Sequence, residues 1–151
     1  MTNYSLISKE IEALTSDVSD LIANLSNVSA LLNTELTDIN WVGFYLLKDD
    51  KLILGPFQGK PACVTISLGK GVCGTAVSTD SLQLVKDVHT FPGHIACDSA
   101  SNSEIVLPLH DKSGKVVAVL DIDSPTLGRF SEADEEGILL LQPVLEDIFN
   151  R

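Results

Sequence analysis

Apolar side chains between residues 5 and 39 recur at alternating intervals of four and three positions, the spacing of an amphipathic helix. They are Ile7, Ile11, Leu14, Val18, Leu21, Leu25, Val28 and Leu32. Ser26 and Asn27 can cap a new helix, so the pattern fits either one helix or two helices with a break near Asn24. A coiled-coil seam is an alternative, but we expect helices that pack on a sheet.

From Trp41 onward the apolar positions alternate with a period of two, which indicates strands. "NWVGFYLL" and "KLILGPFQG" flank "KDD" and predict a hairpin, and "ACVTISL" follows as a third strand. "GKGVCGTAVSTD" predicts a short helix, and "LQLVKDV" predicts a fourth, weaker strand. "EIVLPLHD" and "KVVAVLDIDS" predict a last hairpin with a tight turn at Ser113 and Gly114.

The chain closes with a second amphipathic pattern, which Ser131 should cap and Pro143 should bend. Its apolar positions are Ile138, Leu141, Leu145 and Ile148. We therefore expect one α+β domain over residues 1–151 with an antiparallel sheet. Its parts are N-terminal helices (1–39), the sheet with a pocket (40–130) and a C-terminal helix (131–151).

The last hairpin predicts a cluster of carboxylates. If Lys112 pairs with Lys115 across the turn, Glu104 lies opposite Asp123 and Val106 lies opposite Asp121. Because side chains alternate across a strand, Glu104, Asp121 and Asp123 share one face of the sheet. Like charges that face one another destabilise a sheet, so a functional cluster is favoured over an ordinary solvent-exposed face.

The charge balance limits the kinds of partner. Ten basic and twenty-one acidic side chains give a net charge of −11, which argues against nucleic-acid binding. The apolar runs are too short to span a membrane, and "MTNYSLISKE" does not resemble a secretory signal. We therefore expect a cytoplasmic protein.

Three cysteines occur, Cys63, Cys73 and Cys97, an odd count with no close pairing. Cys97 lies in "FPGHIACDSASNSE", a long loop that ends at Glu104. A metal site built from the cysteines with His89 or His94 is an alternative, although the ligands are scattered. His94 could act as a cation that favours the thiolate, or it could equally be an exposed loop residue.

The predicted cluster has a chemical consequence. Crowded carboxylates repel one another, so at least one pKa rises and that group can donate a proton near neutral pH. The remaining carboxylates can bind an ammonium group. A thiol, a proton donor and an ammonium site in one pocket suit an amino-acid-like substrate, although nearby carboxylates disfavour the reactive thiolate.

Four segments carry a family resemblance: "NWVGFYLL", "GPFQGKPACVTISLGKGVCGTAV", "FPGHIACDSASNSEIVLPL" and "AVLDIDSP". Together they resemble the free methionine-(R)-sulfoxide reductases, which are single GAF domains. The resemblance implies a GAF-like sheet with the terminal helices on one face. A pocket on the other face would be capped by a loop and a short helix.

The resemblance also implies roles for individual residues. Cys97 would attack the sulfoxide sulfur, and one acid among Glu104, Asp121 and Asp123 would protonate its oxygen. Cys63 would then form a disulfide with Cys97, and Cys73 would be an auxiliary or resolving thiol.

The substrate would be free methionine sulfoxide. Trp41 and Tyr45 would line the pocket for its methyl group, although Tyr45 could equally be a core residue. Backbone amides from Ile95 and Ala96 to Ala100 would meet its carboxylate. Thioredoxin would be the electron donor, no cofactor would be bound, and a homodimer is plausible.

The alternative from a different class is a GAF module that senses a small ligand and has no catalytic activity. A pocket lined by carboxylates would repel a phosphate, which disfavours a cyclic nucleotide as that ligand.

Overall fold

The computed structural model describes residues 1–94 and 99–151. Its α-helices are α1 (Tyr4–Thr15), α2 (Leu21–Glu35), α3 (Gly71–Thr79) and α4 (Glu132–Phe149), with a 3-10 turn at Val88–Thr90. Its strands are β1 (Trp41–Lys48), β2 (Lys51–Gly59), β3 (Thr65–Ser67), β4 (Gln83–Val85), β5 (Ser103–His110) and β6 (Val116–Ser124). None of the helices in this described part is long and apolar enough to cross a membrane.

The six strands form one antiparallel sheet in the order β3-β2-β1-β6-β5-β4. The two central strands belong to different hairpins: β1 to the hairpin β1–β2, and β6 to the hairpin β5–β6. Pairing between β1 and β6 therefore joins the two hairpins into one sheet. Because side chains alternate along a strand, successive residues of β1, β5 and β6 point to opposite faces of the sheet. The predicted α+β class with an antiparallel sheet is confirmed.

One face of the sheet carries the larger apolar core. Phe44, Ile105, Leu120 and Ile122 pack there against apolar residues of α1, α2 and α4. Burial of each such side chain contributes about 1.5–3 kcal/mol relative to exposure. Leu120 and Ile122 point into this core, as the hairpin register predicts.

The N-terminal pattern forms two helices, but the break lies at residues 16–20 and not near Asn24. The side chain of Asp20 caps α2 by accepting a hydrogen bond from the amide of Ala23 at 2.8 Å. Leu14 and Val18, counted in the apolar stripe, are 42% and 37% exposed. The prediction missed the break because the apolar spacing runs through it.

The turn of the last hairpin differs from the prediction, although the register is correct. Asp111 and Lys115 flank a three-residue loop, in which Gly114 has a φ of 86°. A register shift after Leu109 compensates for the added loop residue, so that Glu104 pairs with Asp123 and Val106 with Asp121. A three-residue loop with a left-handed glycine at its last position is a common hairpin connection.

The closing helix agrees with the sequence pattern. Ser131 and Asp134 form a reciprocal capping box, and α4 continues past Pro143 to Phe149. Its four predicted apolar positions, Ile138, Leu141, Leu145 and Ile148, are buried. The third and fourth strands are shorter than predicted, three residues each, and the 3-10 turn was not predicted.

Candidate functional site

A pocket lies on the sheet face opposite α1, α2 and α4. Helix α3 covers it, and strands β1, β5 and β6 form its floor. The space open to the centres of water molecules is about 40 Å³, enough for about three waters. The described lining residues are Trp41, Tyr45, Ala62, Ile66, Lys70, Gly71, Val72, Cys73, His94, Ser101, Glu104, Asp121 and Asp123.

Strand pairing brings the three acids together. Asp123 on β6 lies between Glu104 on β5 and Trp41 on β1, since it is paired with both. Asp121, two positions earlier on β6, projects from the same face. Glu104 and Asp121 are only 8% and 5% exposed. Asp123 is half-buried, so the predicted cluster lies within the pocket and is not part of a solvent-exposed face.

Burial and mutual repulsion determine which acid holds a proton. Burial raises the pKa of Glu104 well above its usual range, and the charges of Asp121 and Asp123 raise it further. Burial also raises the pKa of Asp121, but hydrogen bonds from Glu104 and Asp123 act in the opposite direction. Glu104 is therefore the best candidate for a protonated group near neutral pH.

Asp121 retains a further capacity for binding. Within residues 1–94 and 99–151, its buried Oδ1 atom accepts no hydrogen bond. A buried carboxylate oxygen without a donor is costly, because desolvation is then uncompensated. This oxygen is suited to accept a hydrogen bond from a cationic ligand in the pocket.

Cys73 is a free thiol that α3 holds against the acids. Its Sγ lies 4.0 Å from Oε2 of Glu104, and the residue is 4% exposed. Burial raises its pKa well above the usual range, and the charges of Asp121 and Glu104 add to this effect. Cys73 therefore stays in the weakly nucleophilic thiol form.

Cys63 and Cys97 are the two cysteines that the family resemblance implies as a disulfide pair. Cys63 is half-buried and disulfide-bonded, in the irregular segment between β2 and β3. Cys97 lies outside the described residues, as do Ile95 and Ala96. His94 and Ser101, on either side of that stretch, both line the pocket.

His94 is placed at the pocket, but its chemistry does not favour a cation. Burial lowers its pKa, and the neighbouring His89 lowers it further. The two imidazole rings lie 6.3 Å apart. A neutral His94 would not supply the positive charge that a thiolate needs.

Trp41 and Tyr45 are both pocket and core residues. Their rings stack with centroids 5.9 Å apart, and each residue is 2% exposed. Trp41 Nε1 donates a hydrogen bond to the carbonyl of Lys60 at 3.1 Å. The Tyr45 hydroxyl donates one to the carbonyl of Cys63 at 2.9 Å. The two alternatives given for Tyr45 thus coexist.

Several lining residues were not identified from the sequence. Lys70 is the most informative, because it is an exposed base at the edge of an acidic pocket. Its position between Gly69 and Gly71, directly before α3, was the available signal. Ala62, Ile66, Val72 and Ser101 carried no signal that distinguished them from ordinary core or loop residues.

One set of side chains has a geometry that could surround a cation. Ligand atoms of Cys73, Glu104 and Asp121 lie within 4.8 Å of one another. The alternative set of cysteines with His89 or His94 is not assembled within the described ranges 1–94 and 99–151. The acids in this pocket suit an ammonium group as well as they suit a metal ion.

The sequence and the fold both match known proteins. The GAF domain family profile matches residues 23–142. "Free methionine-R-sulfoxide reductase" of Escherichia coli is 55% identical over 96% of this chain and 87% of its own. The reduced form of fRMsr from Staphylococcus aureus superposes with a TM-score of 0.94, at 54% identity, over 98% of this chain and 96% of that one.

A third match is a substrate complex. Free methionine-R-sulfoxide reductase from Neisseria meningitidis, in complex with its substrate, has a TM-score of 0.92 and 42% identity over 97% of this chain and 87% of that one. The profile, the near full-length identity and the superposition agree. The chain belongs to the GAF domain family, in the group that includes the free methionine-R-sulfoxide reductases.

Proposed function

We propose that the protein reduces free methionine (R)-sulfoxide to methionine. The observation that carries the proposal is a cluster of two buried acids, Glu104 and Asp121, with the half-buried Asp123, beside two aromatic side chains. The same fold occurs in a relative described in complex with its substrate. A protonated acid, anionic acids and an apolar wall provide what reduction of an amino-acid sulfoxide requires.

The substrate would bind through both its charged and its apolar parts. Its ammonium group would be held by Asp121 and Asp123, and Oδ1 of Asp121 has no donor among the described residues. Its methyl group would contact Trp41 and Tyr45. Its carboxylate would meet backbone amides between Ile95 and Ala100, with Lys70 nearby at the pocket edge. Methionine inside a polypeptide lacks both charges and would be excluded.

The first chemical step would transfer oxygen to a cysteine. The sulfur of Cys97 attacks the sulfoxide sulfur while Glu104 protonates the sulfoxide oxygen. Transfer of that oxygen releases methionine and leaves Cys97 as a sulfenic acid, so Cys97 is oxidised by two electrons and the substrate is reduced by two. The proton of the Cys97 thiol returns to Glu104.

The second step would form a disulfide. The thiol of Cys63 condenses with the sulfenic acid, which forms the Cys63–Cys97 bond and releases water. Cys63 is supported as the resolving residue because it is half-buried and disulfide-bonded, whereas Cys73 is a buried free thiol. Cys73 is therefore proposed as an auxiliary residue that packs against Glu104.

Recycling would need an external dithiol, for which we propose thioredoxin. Exchange with its two thiols restores Cys63 and Cys97 and completes the balance of one sulfoxide reduced, one dithiol oxidised and one water released. A cytoplasmic location, where dithiol donors are kept reduced, is part of the same proposal. A homodimer remains a prediction.

The experiment is NADPH consumption with thioredoxin and thioredoxin reductase on addition of the separate R and S epimers of free methionine sulfoxide. We expect turnover with the R epimer alone, and none with a peptide that contains methionine sulfoxide. Cys97→Ser should abolish methionine formation. Cys63→Ser should form about one equivalent of methionine without further cycling. Stabilisation by the sulfoxide without any turnover would instead support the ligand-sensing alternative.

A further inference from the structure

Tyr45 and Trp41 do more than line the pocket, because the polar atom of each also donates a hydrogen bond to the segment that carries Cys63. That segment, residues 60–64, connects β2 to β3 and has no helix or strand of its own. The Tyr45 hydroxyl donates to the Cys63 carbonyl at 2.9 Å. The Trp41 indole donates to the Lys60 carbonyl at 3.1 Å. Both donors come from the central strand β1.

The disulfide of Cys63 also restrains the segment, so the hydrogen bond from Tyr45 is observed with the Cys63 backbone in its disulfide-bonded position. At the end of the segment, the carbonyl of Val64 accepts a hydrogen bond from the Leu54 amide at 2.9 Å. Lys60, Pro61 and Val64 are exposed, so packing restrains only one side of the segment. Backbone without regular pairing is held by such side-chain bonds, and it moves more freely when they are removed.

We propose that Tyr45 is a positioning residue for the resolving step, and that its hydroxyl orients the backbone of Cys63 so that the Cys63 thiol reaches the sulfenic acid. This rests on the proposed function. The ring of Tyr45 faces the substrate pocket, while the hydroxyl, at the far end of the same side chain, acts on the second cysteine. Formation of a disulfide tolerates only a narrow range of backbone separations, so a loosely held Cys63 reacts more slowly.

The state of the hydroxyl supports this role. Burial raises the pKa of Tyr45, and the charge of Asp121 raises it further. The phenol therefore remains a hydrogen-bond donor throughout the pH range of an enzyme assay. The surrounding acids thus keep Tyr45 in the form that can hold the carbonyl of Cys63.

Tyr45→Phe tests the proposal, since it keeps the ring in the pocket and removes the donor. Rapid mixing with one equivalent of substrate separates the two steps: methionine is measured by quenching, and the disulfide is measured by loss of free thiols. We expect the rate of disulfide formation to fall about two- to tenfold more than the rate of methionine formation, the factor expected from loss of one net hydrogen bond.

Tyr4→Phe is the matched control, because Tyr4 is a buried tyrosine whose hydroxyl donates to Asp134 at 2.6 Å, far from the pocket. It should lower stability and leave both rates unchanged. An unchanged rate of disulfide formation in Tyr45→Phe overturns the inference, as does an equal loss in both steps. Absence of methionine from the wild-type protein instead overturns the proposed function.

Discussion

Glu104→Gln is the substitution that bears most directly on the chemistry of the pocket. Glutamine has nearly the same shape as a protonated glutamate, but it cannot release a proton. Glu104 is 8% exposed, so bulk water cannot easily replace it as a donor. A positioned general acid contributes about 10²–10⁴-fold, and for this buried site we expect a loss of about 10³-fold in kcat/KM, or about 4 kcal/mol.

The pH dependence of the same variant gives a second measurement. Burial and the neighbouring acids raise the pKa of Glu104 in the folded protein. The protonated form is the active one, so wild-type kcat/KM should fall as pH rises through that raised value. Glu104→Gln should lack this fall. The assay is thioredoxin-coupled NADPH oxidation at subsaturating substrate, between pH 5 and 9.

Glu136→Gln is the matched control, since Glu136 is exposed on α4. It should leave both the rate and the pH profile unchanged. A Glu104→Gln enzyme that keeps wild-type activity and a wild-type pH profile would refute the reasoning. If Asp121→Asn abolished the pH dependence instead, the proton would belong to Asp121.

Three further predictions concern stability. Glu104 binds its proton more tightly in the folded state than in the unfolded state. Its contribution to the free energy of unfolding is therefore fully present below the usual glutamate pKa and is lost as pH rises through the raised pKa. Urea denaturation across pH should show this loss in the wild type and not in Glu104→Gln. Burial lowers the pKa of His110, but hydrogen bonds to Asp80 and Glu146, at 2.6 and 2.5 Å, outweigh it and raise the pKa. Stabilisation by His110 should therefore be complete below the ordinary imidazole pKa and disappear as pH rises through the raised pKa. The melting temperatures of the wild type and His110→Gln, compared across pH, check this; a constant difference between them would contradict it. Gly137→Ala would put a Cβ 1.9 Å from Cδ2 of Tyr4. The cost of overpacking should exceed the gain in helix propensity, so urea denaturation should show a loss of about 1–2 kcal/mol in the free energy of unfolding. Equal stability would mean that Tyr4 moves aside without penalty.

The acidic cluster could be predicted because it depends on the alternation of side chains along a strand. An error in the predicted length of the turn does not change that alternation. The predicted turn at Ser113 and Gly114 was one residue too short, and a bulge near His110 restored the register before Glu104 was reached. The position of the break between α1 and α2 could not be predicted in the same way. It depends on the capping side chain of Asp20 and on the left-handed Asp17, and neither changes the apolar spacing.

Some pocket residues are placed by strand pairing, and these could be predicted from the sequence; others are placed by loops, and these could not. Glu104, Asp121 and Asp123 follow from strand pairing, which sequence patterns encode. Lys70 and the hydrogen bond from Tyr45 to Cys63 depend on how a loop crosses the sheet, and no local pattern encodes that. The role of Cys97 came from family resemblance, and it remains a prediction because the residue lies outside the described part of the chain.

The alternation along β6 also has a consequence for how the chain folds. Asp121 and Asp123 flank Ile122, so sliding β6 by one residue against β5 would drive two carboxylates under the helices and expose an isoleucine. Such a misaligned hairpin would be far too costly to persist, since buried carboxylates without partners are among the least favourable groups in a protein interior. The residues that we assign to chemistry would thus also reject incorrect strand alignments during folding.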